Sequence, residues 1–188
     1  MVGPRRWTRL ARERIQACRV FDVQRSRARS PRTGLLHDFY GLDCADWVNV
    51  IPFTPEGEVV LVQQYRHGAD RVTLEAPGGI VDPGEAPAVA AARELLEETG
   101  YRADEILPLG GVNPNPALFG NRLHAFVARG ARRVAEIAND HSEETCVTLV
   151  PTRELRRLVL EGGIDHALVV AALGLLALRE TSDAEPWG

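Results

Sequence analysis

The sequence predicts an α+β or α/β domain built on a mixed β-sheet. Three observations lead there. β-Branched runs bounded by turn residues recur through the first half of the chain and return after the central helix. Three helix-forming stretches are interspersed with those runs rather than gathered at one end. No internal repeat or low-complexity linker divides the chain. At 188 residues, 45% hydrophobic and 26% charged, it is long enough for one domain with a substantial core.

The first 32 residues hold ten arginines against two acids, Glu13 and Asp22, and the chain contains no lysine. The basic head, residues 1–19, lacks the apolar run of a secretory signal and has few aromatics for base stacking. A nucleic-acid arm and a targeting peptide stay open beside a solvated, partly disordered N-terminus, which the composition favours. VFDVQ (20–24) reads as a strand, SRARSPRTG as a turn and LLHDFYGL (35–42) as a second strand.

The clearest β signal is DWVNVIPFTPEGEVVLVQQYRHG (46–68). Two β-branched runs flank Thr54, Pro55, Glu56 and Gly57, which predicts a hairpin. TLEAP (73–77) is a short strand ending in glycines. From about Ala86 to Thr99 strong helix formers follow one another, and Gly100 stands where a C-terminal cap belongs. ILPLGGV leads into a proline-rich loop, RLHAFVARG and CVTLVP are strands, and TRELRRLVLEGG is a helix with a Gly-Gly stop.

The last helix contains the only long uncharged run, ALVVAALGLLAL (167–178). Its 12 residues fall short of the ~20 a bilayer span needs, so it is a buried helix or a subunit contact, and no membrane association is expected. Cys18, Cys44 and Cys146 are odd in number and lack metal-type spacing. They read as reduced thiols of a cytoplasmic protein, with neither a disulfide framework nor a zinc site.

The functional question sits in GGIVDPGEAPAVAAARELLEETGY (78–101). On a helix, Glu94, Glu97 and Glu98 share one face with Cβ atoms ~5–6 Å apart, and like charges so placed repel. Four readings compete. A solvated acidic face is the ordinary one. Arginine pairing has one immediate basic neighbour to draw on, Arg93. A general acid–base pair needs only two carboxylates. A hard divalent cation accounts for three carboxylates with no His or Cys. The flanking Gly78, Gly79, Gly84 and Gly100 favour the cation, because they form a loop-helix-loop open to backbone contact with a ligand.

This stretch resembles the Nudix box, G-x5-E-x7-R-E-U-x-E-E-x-G-U with U a bulky aliphatic. Gly79, Glu85, Arg93, Glu94, Leu95, Glu97, Glu98 and Gly100 match in register, and Tyr101 replaces the last aliphatic. Chance coincidence of so many fixed residues is on the order of one in a million. The resemblance implies the Nudix fold, an α/β/α sandwich with a mixed sheet between helices. It also implies a Mg²⁺- or Mn²⁺-dependent pyrophosphohydrolase acting on a nucleoside diphosphate linked to another moiety. Glu94, Glu97 and Glu98 become metal ligands, Arg93 steadies them through a salt bridge, and Glu85 supports the helix start.

Over roughly residues 20–175, VVLVQQYRHG followed by TLEAPGGIVDPGE resembles the ADP-ribose pyrophosphatase branch. Pro116, 15 residues beyond Tyr101, matches a proline characteristic of that branch, with Pro114 close by. The resemblance implies cleavage of ADP-ribose to AMP and ribose 5-phosphate, with Pro116 on the substrate side. A nucleotide sugar, NADH, FAD or a dinucleoside polyphosphate is the alternative substrate, and a non-catalytic ADP-ribose-binding regulator the alternative role.

The same resemblance makes the Gly78 carbonyl a further metal ligand. It places a catalytic glutamate in the acidic loop DHSEET, with Glu143 chosen over Glu144 and His141, beside the plain alternative of a solvated turn. Arg66 is either a phosphate contact or a strand-end surface arginine. His67 and His124 read as loop and strand residues rather than ligands. A homodimer is implied, with residues 20–45 at the contact, a catalytic domain over 46–180, and no nucleic-acid partner.

Overall fold

The computed structural model describes residues 3–139 and 144–180, which fall into two compact units. The first comprises the residues up to 45 together with 113–122. In it β1 (Thr8–Ala17), β2 (Asp22–Arg29) and β3 (Leu36–Asp43) form an antiparallel three-stranded sheet. The arginine-rich head, for which composition favoured a partly disordered arm, is therefore largely a strand. Its register explains how. Glu13 and Asp22, the two acids of the head, pair across strands with Arg25 and Arg14, and Arg27 grips Asp38 of β3 with two bonds of 2.8 and 3.1 Å. β2 runs to Arg29, so part of the expected turn is strand and the reversal begins at Ser30. The segment 113–122 joins this sheet through Leu42 N to Leu118 O and Asn121 Nδ2 to Ala45 O.

The second unit comprises residues 46–112 and 123 onward. Its strands are β4 (Trp47–Phe53), β5 (Glu58–Arg66), β6 (Arg71–Glu75), β7 (Tyr101–Arg102), β8 (Glu105–Val112), β9 (Leu123–Arg129), β10 (Arg132–Arg133) and β11 (Thr145–Pro151). Its helices are α1 (Pro87–Thr99), α2 (Leu155–Leu160) and α3 (Ala167–Glu180). Six strands make one mixed sheet in the order β11-β5-β4-β9-β8, with β6 also on β5.

The turn at 54–57 joins β4 and β5 as expected, but the two strands pair only at Phe53 and Val59. β4 then leaves its neighbour and runs parallel to β9 over seven residue pairs, while β6 takes the vacated edge of β5. This split opens the sheet where Pro77–Gly79 cross it.

Side-chain alternation sends one set of sheet residues to each face. Val48, Val50, Phe126 and Ala128 pack on Ala90, Ala91 and Leu95 of α1. Ile51, Ala125 and Val127 pack on the other face with Leu155, Val169, Ala172 and Leu176 of α2 and α3. The result is the α/β/α sandwich. The small Ala90 and Ala91 let α1 approach the sheet closely, which brings its glutamates to the sheet's split edge. None of the described helices is long and apolar enough to cross a membrane.

Candidate active site

Two pieces of backbone meet at the site. Pro77–Gly79 runs extended against β4, its Pro77 and Gly79 carbonyls accepting from Val50 N and Val48 N at 2.9 Å each. Backbone groups alternate sides along an extended chain, so the N–H and C=O of Gly78 face away from β4. That N–H donates to Glu98 Oε2 at 2.9 Å, which places the Gly78 carbonyl on the side of α1. Gly78 and Gly79 both need to be glycine. A Cβ on Gly78 would collide with the Val48 carbonyl, and one on Gly79 with the Glu94 carboxylate.

The helix begins after a turn in which Gly84 has φ 82°, with Pro87 at its first position, and it ends on Gly100 at φ 74°. Arg93 is the hub. Its Nε and Nη2 clasp Glu85 at 3.0 Å each, Nη1 reaches Glu94 at 2.9 Å and Glu97 at 3.0 Å, and Nη2 also donates to Ile80 O at 3.0 Å. The bonds to Glu85 first, then the charge of Glu94, raise the Arg93 pKa further above its ordinary value. The same clasp holds Glu85 below the usual carboxylate range.

Glu94 and Glu98 are buried, at 8% and 3% exposure. Three carboxylates, those of Glu85, Glu94 and Glu97, thus surround one guanidinium, while Glu98 is held by Gly78. Glu97 and Glu98 also lie in the last helical turn, where the macrodipole disfavours negative charge and no basic residue offsets it.

The donors are all hard oxygens: three carboxylates on one helix face and a backbone carbonyl beside them. That chemistry fits a hard divalent cation. Among the described residues no group of three His, Cys, Asp or Glu is assembled as a ready cage; the carboxylates are bonded to Arg93 and to the Gly78 N–H. Mg²⁺ keeps several of its waters and needs only one or two carboxylates, so the arrangement and the ion are compatible.

Arg66, at the end of β5, is the other cationic residue of interest. It gives a two-pronged bond to Glu75 (2.9 and 2.7 Å) and is 41% exposed, while Glu75 is buried at 1%. Burial pushes the Glu75 carboxyl up, but the bonds from Arg66 and Thr73 outweigh it and hold the group below its ordinary value. A cavity of about 370 Å³ opens beside this pair, lined by Arg66, His67, Arg71, Thr73, Asp165 and His166 among others. A carboxyl depressed on folding stabilises fully above its unfolded value, near pH 4.5, and loses that contribution as pH falls through the folded one. Thermal melts of Glu75→Gln against pH should therefore lose part of the wild-type acid limb, with a cost of about 2 kcal/mol at neutral pH.

The structure brings Gly78, Glu85, Arg93, Glu94, Glu97 and Glu98 together. It places Pro116 in the other unit, in the segment 113–122. Glu143 and His141 lie outside the described residues; Glu144 is exposed just before β11. His124 Nε2 sits 2.8 Å from Asp46 Oδ2 on a strand, as the sequence implied.

Several contributors escaped the sequence. Glu75 was signalled only by a charge inside an otherwise apolar strand. Thr145 and Asn139 carried no signal, yet Thr145 Oγ1 donates to the Glu98 carbonyl at 2.8 Å, and Asn139 Nδ2 donates to that same hydroxyl at 2.9 Å. Ala138 N likewise donates to the Glu97 carbonyl at 2.8 Å.

Comparison with known proteins agrees with this geometry. The NUDIX domain model matches residues 46–173. An ADP-ribose pyrophosphatase of Mycobacterium tuberculosis is 28% identical over 184 residues, covering 94% of this chain and 86% of the relative. A methanol dehydrogenase activator of Bacillus methanolicus is 32% identical over 134 residues, covering 71% and 72%. The crystal structure of an ADP compounds hydrolase superposes with a TM-score of 0.84 at 22% identity, covering 98% of this chain and 99% of that one, a likeness of fold. With a family match over most of the chain and the box residues gathered around one arginine, the chain belongs to the Nudix family and is a Nudix hydrolase of the ADP-ribose pyrophosphatase-like kind.

Proposed function

We propose that this enzyme hydrolyses the diphosphate of ADP-ribose to AMP and ribose 5-phosphate, with Mg²⁺ or Mn²⁺ as cofactor. The observation that carries the reading is the gathering of hard oxygen donors at one place: Glu94, Glu97 and Glu98 on one face of α1, with Gly78 bonded to Glu98 and with Arg93 linking Glu94 and Glu97 to Glu85. Glu94, Glu97, Glu98 and the Gly78 carbonyl would hold the cation. Bound there, a divalent cation screens the diphosphate and lowers the pKa of the water that attacks phosphorus.

The chain's own groups do the rest. Arg93 keeps Glu94 and Glu97 in fixed rotamers, and Glu85 in turn fixes Arg93. Arg66, bonded to Glu75 and half-exposed, would contact a phosphate oxygen. Glu143 takes the proton of the attacking water, and Pro116 shapes the substrate side. We place the enzyme in the cytoplasm as a homodimer joined through residues 20–45. The similarity to the M. tuberculosis pyrophosphatase over nearly the whole chain supports ADP-ribose as the substrate.

A substrate panel tests this. With Mg²⁺, ADP-ribose should give AMP at the highest kcat/KM, at least tenfold above a nucleotide sugar, NADH, FAD and a dinucleoside polyphosphate. A higher value for any of these would reassign the substrate. A relative named as an activator of another enzyme gives the second reading, ADP-ribose binding without cleavage. Micromolar binding with no turnover under Mg²⁺ or Mn²⁺ would establish it.

A further inference from the structure

Gln64 has a side chain the mechanism above does not use. It is 7% exposed, and among the described residues its Oε1 is fully occluded with no hydrogen-bond partner. Its neighbours across the strands are satisfied. Thr145, opposite on β11, donates to the Glu98 carbonyl, and Thr73, opposite on β6, donates to Glu75 at 2.6 Å. Residues opposite one another in a sheet share a face with Cβ atoms ~5 Å apart. Gln64 therefore lies on the α1 face, one cross-strand step from the residue that holds Glu98. Arg66 follows two residues later on the same face, ~7 Å further along β5.

An occluded amide oxygen without a donor costs stability. A methionine would match its length without that cost, so the amide reads as a group whose partner arrives with the ligand. Its place on the α1 face, beside Thr145, which bonds the Glu98 backbone carbonyl, and two residues before Arg66, narrows the partner. Diphosphate oxygens at neutral pH only accept hydrogen bonds, whereas the hydration shell of a divalent cation supplies O–H donors. We propose that Gln64 is a positioning residue whose Oε1, covered in this structure, is uncovered when a cation is held at Glu98 and then accepts a hydrogen bond from water in the cation's hydration shell. The proposal rests on the cation-binding reading of α1.

Two variants test it with three readouts: melting temperature in EDTA, Mn²⁺ dissociation constant without substrate, and kcat with KM at saturating Mg²⁺. Gln64→Met should melt in EDTA at the wild-type temperature or ~2–4 °C higher, since the occluded polar atom is gone. Its Mn²⁺ affinity should weaken about five- to tenfold, and kcat should fall about tenfold with KM within twofold. Gln64→Glu keeps an acceptor oxygen and should bring Mn²⁺ affinity back to within threefold of wild type.

A lower melting temperature in EDTA for Gln64→Met with unchanged Mn²⁺ affinity would make Gln64 structural and overturn the proposal, as would failure of both variants to fold. A tenfold rise in KM for Gln64→Glu with unchanged Mn²⁺ affinity would overturn it differently, because the amide nitrogen would then be facing phosphate. Glu98→Gln titrated alongside separates the premise: wild-type Mn²⁺ affinity there removes the cation site itself.

Discussion

Glu98→Gln should lower kcat for ADP-ribose by about 1,000-fold, a loss of about 4 kcal/mol of transition-state stabilisation, while the protein stays folded. The side chain keeps its size, and its amide oxygen can still accept from the Gly78 N–H now bonded to Glu98 Oε2. Only charge is removed, and it is removed from a helix end that disfavours it. Melting temperature in EDTA should therefore hold or rise, while the stabilisation by added Mn²⁺ shrinks. Circular dichroism and steady-state kinetics together decide the matter. Near-normal turnover by a folded Glu98→Gln protein would remove Glu98 from the metal site.

Arg93→Met should act on stability and activity at once. The substitution deletes five hydrogen bonds and takes the shared guanidinium away from Glu85, Glu94 and Glu97. Stranding partly buried carboxylates in this way costs about 2–4 kcal/mol, or on the order of 10 °C in melting temperature for a domain this size. Divalent cations should restore more stability in this variant than in wild type, because they supply the positive charge that Arg93 no longer does. kcat should fall about 100-fold, since the ligands lose their fixed rotamers.

Arg93→Lys should rescue little, as one ammonium cannot fork to three carboxylates and a carbonyl. The pH profile carries a further sign. Glu85 is held low by Arg93, so its contribution to stability is present above about pH 4.5 and lost below it. In Arg93→Met that part of the acid limb should be missing. A variant with wild-type melting behaviour and unchanged cation dependence would show that the arginine is not the hub of the site.

The box was legible because its chemistry is local. One helix face and two flanking glycine turns bring six of the site residues together within 21 positions of the chain, Gly78 to Glu98. Helix period and turn chemistry are short-range rules that the sequence states directly. The head at Thr8–Ala17 was not legible, because its strand character comes from partners on β2 and not from β-branched residues of its own. The same holds for β4. Its runs of valine and isoleucine announce a buried strand, but nothing local says that β9, more than 70 residues later, will pair along one edge while Pro77 and Gly79 take most of the edge next to β5. Gln64, Glu75 and Thr145 were hidden for a related reason: a missing or satisfied hydrogen bond is a property of three dimensions.

Ala138 and Thr145 are both fastened to carbonyls of the last turn of α1, those of Glu97 and Glu98. Both anchors hold the end of the helix that carries Glu94, Glu97 and Glu98, and neither depends on the sequence between them. Lengthening such a closed segment is entropically cheap, about 0.6 kcal/mol per doubling. The residues between the anchors could therefore be exchanged almost like a cassette. α1 would stay where it is, and one scaffold could diversify without being refolded.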